Sequence, residues 1–387
     1  LYDWSCSGDK LVNSSMLRRI GLALAAPTAA VLFATIASSI FLVIAGSNPF
    51  TAYGDMFEYG SRLEIQVDIL NRATPLYISG VAAAIGFRMN LFNIGVEGQY
   101  RLAAIVAAYV GASVSLPAFF HIALILIVAM LVGGAYAGVA GVLKVSRGVN
   151  EVISTIMLNA IAISGLIAWL VREWQAGGTV DATGANLGIG TEPIDESGLI
   201  PNINSWLELF TREIGKGKEL TGVLLVAVAV GVLYHIVLNR TRFGFDLRAT
   251  GINPFAARAG GVNDKRMILG AMVLSGVVAG LVGMAEIAKL GRFNPNFVGN
   301  LGFAGIAVAL LGRNHPGGIA IGALLFAFLD TASGVLQVTG SASREIVFIM
   351  QGIILLAAVI AYEVVQRYRI REEARMASTL LAGEAEE

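Results

Sequence analysis

Two polar stretches interrupt an otherwise apolar chain, and their side chains are the first candidates for chemistry. Asn93, Glu97 and Gln99 lie in the segment NLFNIGVEGQ, with two glycines between them. Polar side chains at membrane depth are costly unless they face protein or water. Glycine permits local unwinding, which needs the same surroundings. The segment is interpreted as the lining or gate of a transport pathway, or as a helix start at the cytoplasmic interface.

The second polar stretch is NEVISTIMLN. Asn150 is a good N-cap, and Glu151 suits the positive N-terminus of the helix that follows. Ser154, Thr155 and Asn159 lie deeper, and the last two share one helix face because they are four residues apart. Such a polar face lines a cavity or holds helices together by hydrogen bonds. Both interpretations stay open at this point.

A third candidate group consists of charged residues inside or near apolar segments. Glu286 and Lys289 are three residues apart, so we expect an ion pair at the membrane interface. Asp330 is more isolated, and a carboxylate within a membrane segment is a functional candidate. A proton- or ion-coupled secondary transporter acting alone would need such groups. These carboxylates are therefore the best support for that alternative function.

The basic segment that follows Asn239 predicts a short helix. Asn253 and Pro254 read as an N-cap followed by the first helical position, and a pair of glycines ends the helix. Arg248, Ala257 and Arg258 lie in or beside it. The segment either docks onto a cytoplasmic partner or only anchors the chain through its positive charge.

Several kinds of chemistry are excluded or unsupported by the sequence. The chain has one cysteine and three widely separated histidines, so no metal site is predicted. Net charge is +0, which offers nothing to a nucleic acid. The phosphate-binding pattern G-x-x-x-x-G-K-[ST] is absent from the sequence. We therefore predict no catalytic residues and no cofactor bound by this chain; ATP-driven transport would need a separate ATPase.

The elements that position these residues follow from composition. Of 387 residues, 56% are hydrophobic and only 14% are charged, whereas soluble domains carry about 25% charged residues. A bilayer crossing needs about 20 apolar residues. The predicted fold is an all-α polytopic membrane bundle of about ten crossings. These are Ile20–Ala45, Val67–Phe87, Asn90–Leu116, Phe119–Leu143, Val152–Val171, Leu220–Leu238, Met267–Ile287, Phe297–Leu311, Ile319–Val338 and Ile346–Val365.

The distribution of lysine and arginine predicts the orientation. With both termini in the cytoplasm, most of these residues fall on the inner side, and Arg88 and Arg101 are counted there. The predicted organisation is a cytoplasmic segment 1–19, a transmembrane domain 20–365 and a cytoplasmic tail 366–387. Residues 173–219 form an outer loop and residues 239–266 an inner loop. Two sets of four crossings, each containing one broken segment, are predicted inverted repeats, a pattern that points to a transport path between them.

Together these motifs resemble the permease subunits of ABC importers for nucleosides and simple sugars, a group within the ribose and branched-chain amino acid permease superfamily. The matching stretches are FNIGVEGQ (Phe92–Gln99), NEVISTIMLN (Asn150–Asn159), FGFDLRATGINPFAARAGGVN (Phe243–Asn263), SGVVAGLVGMAE (Ser275–Glu286) and GIAVALLGRNHPGGI (Gly305–Ile319).

The resemblance implies a type II importer fold in a bacterial plasma membrane. It implies a second, probably non-identical permease, two ATPase subunits that carry ATP-Mg, and an extracytoplasmic substrate-binding lipoprotein. The inner loop would carry the helix that couples the ATPases to the membrane, with Arg248, Asn253, Pro254, Ala257 and Arg258 in it. The permease itself would not be an enzyme. Nucleosides are the first expected substrates, followed by simple sugars.

Overall fold

A computed structural model describes residues 32–175, 190–204, 218–297, 299–339 and 346–357, with the single positions 360, 364 and 367. The predicted segment 1–19 lies outside the described residues, as do most of the tail 366–387 and much of the loop 173–219. The chain divides into two compact units. The larger unit comprises residues 58–332, and the smaller comprises residues up to 57 and from 333 onward.

Almost all regular structure in the described residues is helical. Two isolated β-bridges pair Gln175 with Thr191 and Asn202 with Thr221. The helices are α1 (Leu32–Ile44), α2 (Pro49–Ser61), α3 (Leu63–Arg88), α4 (Val96–Ser113), α5 (Ala118–Arg147), α6 (Glu151–Glu173), α7 (Val223–Arg240), α8 (Arg242–Ile252), α9 (Pro254–Ala259), α10 (Asp264–Gly280), α11 (Met284–Leu290), α12 (Leu301–Leu311), α13 (Pro316–Ala332), α14 (Gly334–Val338) and α15 (Ile346–Ala357).

The long apolar helices confirm an all-α, multi-pass membrane protein. Five described spans have the length and hydropathy of a crossing: α5, α6, α7, α10 with α11, and α13 extended to Leu336. A sixth arises if α1 and α2, which are bent by 112°, form one broken span. The count of about ten crossings stays a prediction.

Local sequence signals set several helix boundaries. Asn150 Oδ1 accepts a hydrogen bond from the backbone N–H of Val152 at 2.8 Å, and Asn253 Oδ1 accepts from Phe255 at 3.0 Å. These bonds satisfy N–H groups that lack a partner within the helix. Helix α5 ends at Arg147 and is capped by Gly148, whose φ of +68° is accessible to glycine without strain. The predicted caps at Asn150 and Asn253 are therefore confirmed.

Helices α5 and α10 pack with their backbones almost in contact. A Cβ atom added at Gly133 would lie 2.3 Å from the carbonyl oxygen of Gly276, and one at Gly280 would lie 2.0 Å from that of Ala129. Lipid is as apolar as a leucine side chain, so membrane helices associate through close packing rather than through the hydrophobic effect. Small residues along this contact make that approach possible.

Helix α12 is too short to cross a bilayer by itself. Its 11 residues span about 16 Å, roughly half of the hydrocarbon core. It begins beside the middle of α3, where the Ser79 hydroxyl donates to the carbonyl oxygen of Leu301 at 2.8 Å. It ends in a tight turn, since a Cβ atom at Gly312 would lie 2.3 Å from the backbone nitrogen of Ile319. The chain then returns along α13.

Candidate functional site

Glu97 lies where the N-termini of α4 and α12 meet. Its side chain is buried, and Oε1 accepts hydrogen bonds of 2.9 Å from Arg101 Nε, the Tyr100 hydroxyl and the Asn300 backbone N–H. Oε2 accepts from the backbone N–H of Gly302 at 2.9 Å. A carboxylate in this position receives N–H groups that have no partner within α12, and it faces the positive ends of both helices.

Asn93 and Gln99 form a closed amide pair behind the start of α4. Asn93 Nδ2 donates to Gln99 Oε1 at 3.0 Å, and Gln99 Nε2 donates to Asn93 Oδ1 at 2.9 Å. Asn93 also donates to the Ser275 hydroxyl at 2.9 Å, which in turn donates to the Ala82 carbonyl oxygen at 2.7 Å. Asn93, Gln99, Ser275 and Ala82 are all buried. Their hydrogen bonds connect α3, α4 and α10.

Asn159 attaches α6 to the segment that leads into α4. Its Oδ1 accepts from the backbone N–H of Gly98, and its Nδ2 donates to the carbonyl oxygen of Ile94, each at 2.8 Å. The hydroxyls of Ser154 and Thr155 donate instead to the carbonyl oxygen of Glu151, at 3.2 and 2.6 Å. Hydrogen bonds of this kind are local to the helix and make no link to a neighbour.

The structure thus brings most of the predicted pathway residues together at the start of α4. Asn93, Glu97, Gln99 and Asn159 share this region, Thr155 borders it beside Gly95, and Ser154 bonds only within its own helix. All six predicted side chains are buried within this chain. Their assignment to a pathway stays a prediction. Their geometry is that of a scaffold that fixes where α4 and α12 begin.

Substituting Asn159 by Ala should reduce thermal stability clearly, because two backbone groups of the α4 segment would lose their partner. Leaving buried polar groups unpaired costs about 1–3 kcal/mol each. Ser154→Ala is the matched control, and we expect a change within about 0.5 kcal/mol because its bond is local. Both variants would be compared by thermal unfolding in detergent. Equal stability of the two variants would contradict the scaffold role.

Arg101 was counted among the charges of the inner side, and that placement stays a prediction. The residue lies within α4, one turn beyond Glu97, and its Nε pairs with that carboxylate at 2.9 Å. The acid at i and the base at i+4 are neighbours on a helix surface. That spacing is the signal in the sequence that would have identified the pair.

A polar cavity of about 590 Å³ lies on the side of the bundle where α3 begins. Asp330 was predicted to be isolated. Instead, its Oδ2 lies 2.6 Å from Nε of Arg72, a residue that lines this cavity. Lys218 pairs with Asp68, and this hydrogen bond raises the pKa of the ammonium group. The raised pKa keeps the Lys218 ammonium group charged at neutral pH, and the stability that the pair contributes is lost as pH rises through that pKa.

The expected ion pair between Glu286 and Lys289 is absent from the described residues. Both side chains border the polar cavity instead. The ion-coupled alternative depended on Glu286 and on an isolated Asp330. Because Asp330 is held by Arg72, it offers no unpaired carboxylate within the membrane segment.

The segment after α7 forms two short helices, α8 and α9. Asn253 caps α9, Pro254 is its first residue, and Ala257 is buried. Arg248 donates to Asn239 Oδ1 at 2.7 Å, and Arg258 pairs with an aspartate at the start of α10. The predicted coupling residues therefore make contacts within this segment or with the start of α10, and their role in coupling stays a prediction.

Its exposed residues include large apolar side chains, which the sequence interpretation missed. Phe245, Ile252 and Phe255 are 64%, 86% and 78% exposed. Large exposed apolar side chains beside charged ones are typical of an interaction site. We call these three residues the apolar tip.

Comparison with known proteins identifies the family. The family model described as "Branched-chain amino acid transport system / permease component" matches residues 65–359. The chain is 33% identical over 352 residues to a glucose ABC transporter permease protein of Haloferax volcanii, covering 90% of each chain. It is 30% identical over 345 residues to a guanosine ABC transporter permease protein of Bacillus subtilis, covering 87% of this chain and 93% of the relative.

A third relative is a nucleoside ABC transporter permease protein of Lactococcus lactis, which is 30% identical over 341 residues. The match covers 86% of this chain and 90% of that protein. The resemblance inferred from FNIGVEGQ, NEVISTIMLN and the other motifs is confirmed. The chain belongs to the family of branched-chain amino acid transport system permease components, and it is a membrane-spanning permease subunit of an ABC transporter.

Proposed function

We propose that this permease forms the translocation pathway of an importer for nucleosides, with simple sugars as the second substrate class. The names of the guanosine, nucleoside and glucose permeases support this substrate range. An extracytoplasmic binding lipoprotein delivers the substrate. A second, non-identical permease completes the pathway, and separate ATPase subunits bind ATP-Mg and hydrolyse it. The chain crosses the plasma membrane about ten times with both termini in the cytoplasm.

The apolar tip is the observation that carries the coupling role. Phe245, Ile252 and Phe255 point outward from a segment that is otherwise basic, where anchoring by positive charge alone would need no exposed aromatic rings. Aromatic anchors surrounded by charged residues are the usual centre of a protein interface. We infer that the tip inserts into a groove on an ATPase subunit.

The segment also packs closely against the connection that leads to the polar network at Asn93. A Cβ atom at Gly251 would lie 2.5 Å from the carbonyl oxygen of Arg88 and 2.9 Å from the Cα of Met89. Helix α8 therefore packs against the end of α3 and the connection that leads to Asn93. When the ATPases close and displace α8, the movement passes through the backbone at Arg88 and Met89 to the polar network at Asn93. Coupling between distant sites can use a contiguous path of this kind.

Replacing Phe255 by Asp should uncouple the complex. Burying an unpaired carboxylate in the ATPase groove is costly, and we expect uptake driven by ATP to fall by about ten-fold or more. Uptake and ATPase activity would be measured in proteoliposomes that hold the complete complex with its binding protein. Phe255→Leu, which stays apolar, should keep most of the uptake.

Arg242→Gln is the matched control for anchoring, since it removes an exposed positive charge from the same segment. If the segment only anchored the chain, this variant would be as harmful as Phe255→Asp. Retained uptake in Phe255→Asp would contradict the docking role. Uptake by the purified chain alone, driven by a proton or sodium gradient, would contradict the ABC mechanism.

A further inference from the structure

Arg101 has a buried ion-pair partner but is itself partly exposed. Its Nε is held by Glu97, and Glu97 and Tyr100 are buried, but 20% of the arginine side chain remains exposed. One terminal nitrogen lies beside Gly299, where an added Cβ atom would be 2.2 Å from it. No described residue accepts a hydrogen bond from either terminal nitrogen.

The depth of this guanidinium is set by its neighbours. Glu97 contacts the first turn of α12, and α12 begins beside Ser79. Ser79 is about 13 Å from the end of α3 at Arg88 and about 24 Å from its start. Arg101 therefore lies within the membrane-spanning part of the bundle. A charged group at such depth is costly against lipid and normally faces protein or a water-filled cavity.

The turn of α6 that packs against α4 includes exposed residues that are small or polar. Helix α4 packs against the π-helical turn Ile161–Leu166 of α6, with Gly98 directly beside Ala162. Ser164 and Gly165 of this turn are exposed, and so is Asn300, which follows Gly299. A π-helical turn within an α-helix is often found at a functional site.

We propose that Arg101 lines the translocation pathway and contacts the substrate, with Glu97 as the residue that positions it. Because Nε is occupied, the two terminal nitrogens remain as a planar pair of donors, one of which lies beside Gly299. Such a pair matches two adjacent acceptors, as on the O6/N7 edge of guanine, whereas adenine presents an acceptor beside a donor there. The selected substrates are 6-oxopurine nucleosides. This inference rests on the proposed nucleoside pathway.

Accessibility of position 101 tests the placement whichever substrate is carried. Cys6 is the one cysteine of the chain, so Cys6→Ser provides a cysteine-free background. In the complete complex, Arg101→Cys and Ser164→Cys should react with a charged methanethiosulfonate reagent, and transported substrate should slow the reaction. Ala104→Cys, at a fully buried position of α4, should stay unreacted. An unreactive Arg101→Cys in a folded complex would overturn the placement.

Substrate selectivity tests the recognition. Arg101→Lys keeps the charge beside Glu97 but loses the planar donor pair. We expect the ratio of the KM for guanosine or inosine uptake to the KM for adenosine uptake to rise about ten-fold. An equal change for all nucleosides would overturn selection by Arg101. If the complex carries glucose and no nucleoside, the proposed substrate fails, while protection of Arg101→Cys by glucose would still support the pathway placement.

Discussion

Glu97→Gln should destabilise the permease by about 3–5 kcal/mol, the usual cost of removing one partner of a buried ion pair. The variant leaves the Arg101 guanidinium without its carboxylate. It also replaces one of two accepting oxygens by an NH₂ group, which cannot accept from the N–H of Gly302 or Asn300. Two helix N-termini would thereby lose their common anion. Thermal unfolding in detergent would measure the loss.

A double-mutant cycle separates this charge effect from general disruption. Arg101→Gln combined with Glu97→Gln removes both charges, so the double variant should be more stable than the sum of the two single losses predicts. Replacing both partners of a buried pair is often tolerated where removing one is not. Strictly additive losses would show that the ion pair is not what makes Glu97 important.

The second large effect is expected at the contact between α5 and α10. Gly280→Ala places a methyl group 2.0 Å from the carbonyl oxygen of Ala129, which is backbone and cannot move aside by a rotamer change. The two helices must therefore separate along their closest approach. Overpacking of this kind costs about 1–3 kcal/mol, and more when backbone is displaced. We expect a lower melting temperature and a reduced yield of folded protein from membranes.

Gly165→Ala is the matched control for this substitution. It lies in a membrane helix as well, but no atom is within 4 Å of the added Cβ. Alanine favours helix over glycine by about 1 kcal/mol, so this variant should be neutral or slightly more stable. A loss at Gly165 equal to that at Gly280 would mean that helix flexibility, rather than close packing, governs both sites.

The sequence was most informative where the physics is local. The caps at Asn150 and Asn253 depend on side chains that bond to backbone two or three residues away, so spacing alone predicts them. The short length of Phe297–Leu311 was visible as a weak apolar segment, because hydropathy reports directly on how far a helix can extend into lipid. The resemblance of the motifs also predicted the family and the segment that docks onto the ATPases.

Interactions between distant segments were less accessible. Asp330 pairs with Arg72, and nothing near either residue predicts the other. Arg101 was counted on the inner side because charge counting treats every arginine as a topological marker, whereas in the structure Glu97 pairs with it inside the bundle. The exposed tip at Phe245 and Phe255 was hidden for a related reason: in a short helix, apolar side chains do not reveal which face packs.

The amino-acid sequence by itself determined that this chain is an all-α membrane permease, since composition, apolar run length and motif identity are properties of the chain alone. The tertiary structure decided which polar residues support the bundle and which face outward. Asn93, Gln99 and Asn159 point into helix contacts, while Arg101 retains an exposed edge. That division depends on how α4, α6 and α12 pack together, because burial belongs to the packed arrangement and not to the residue.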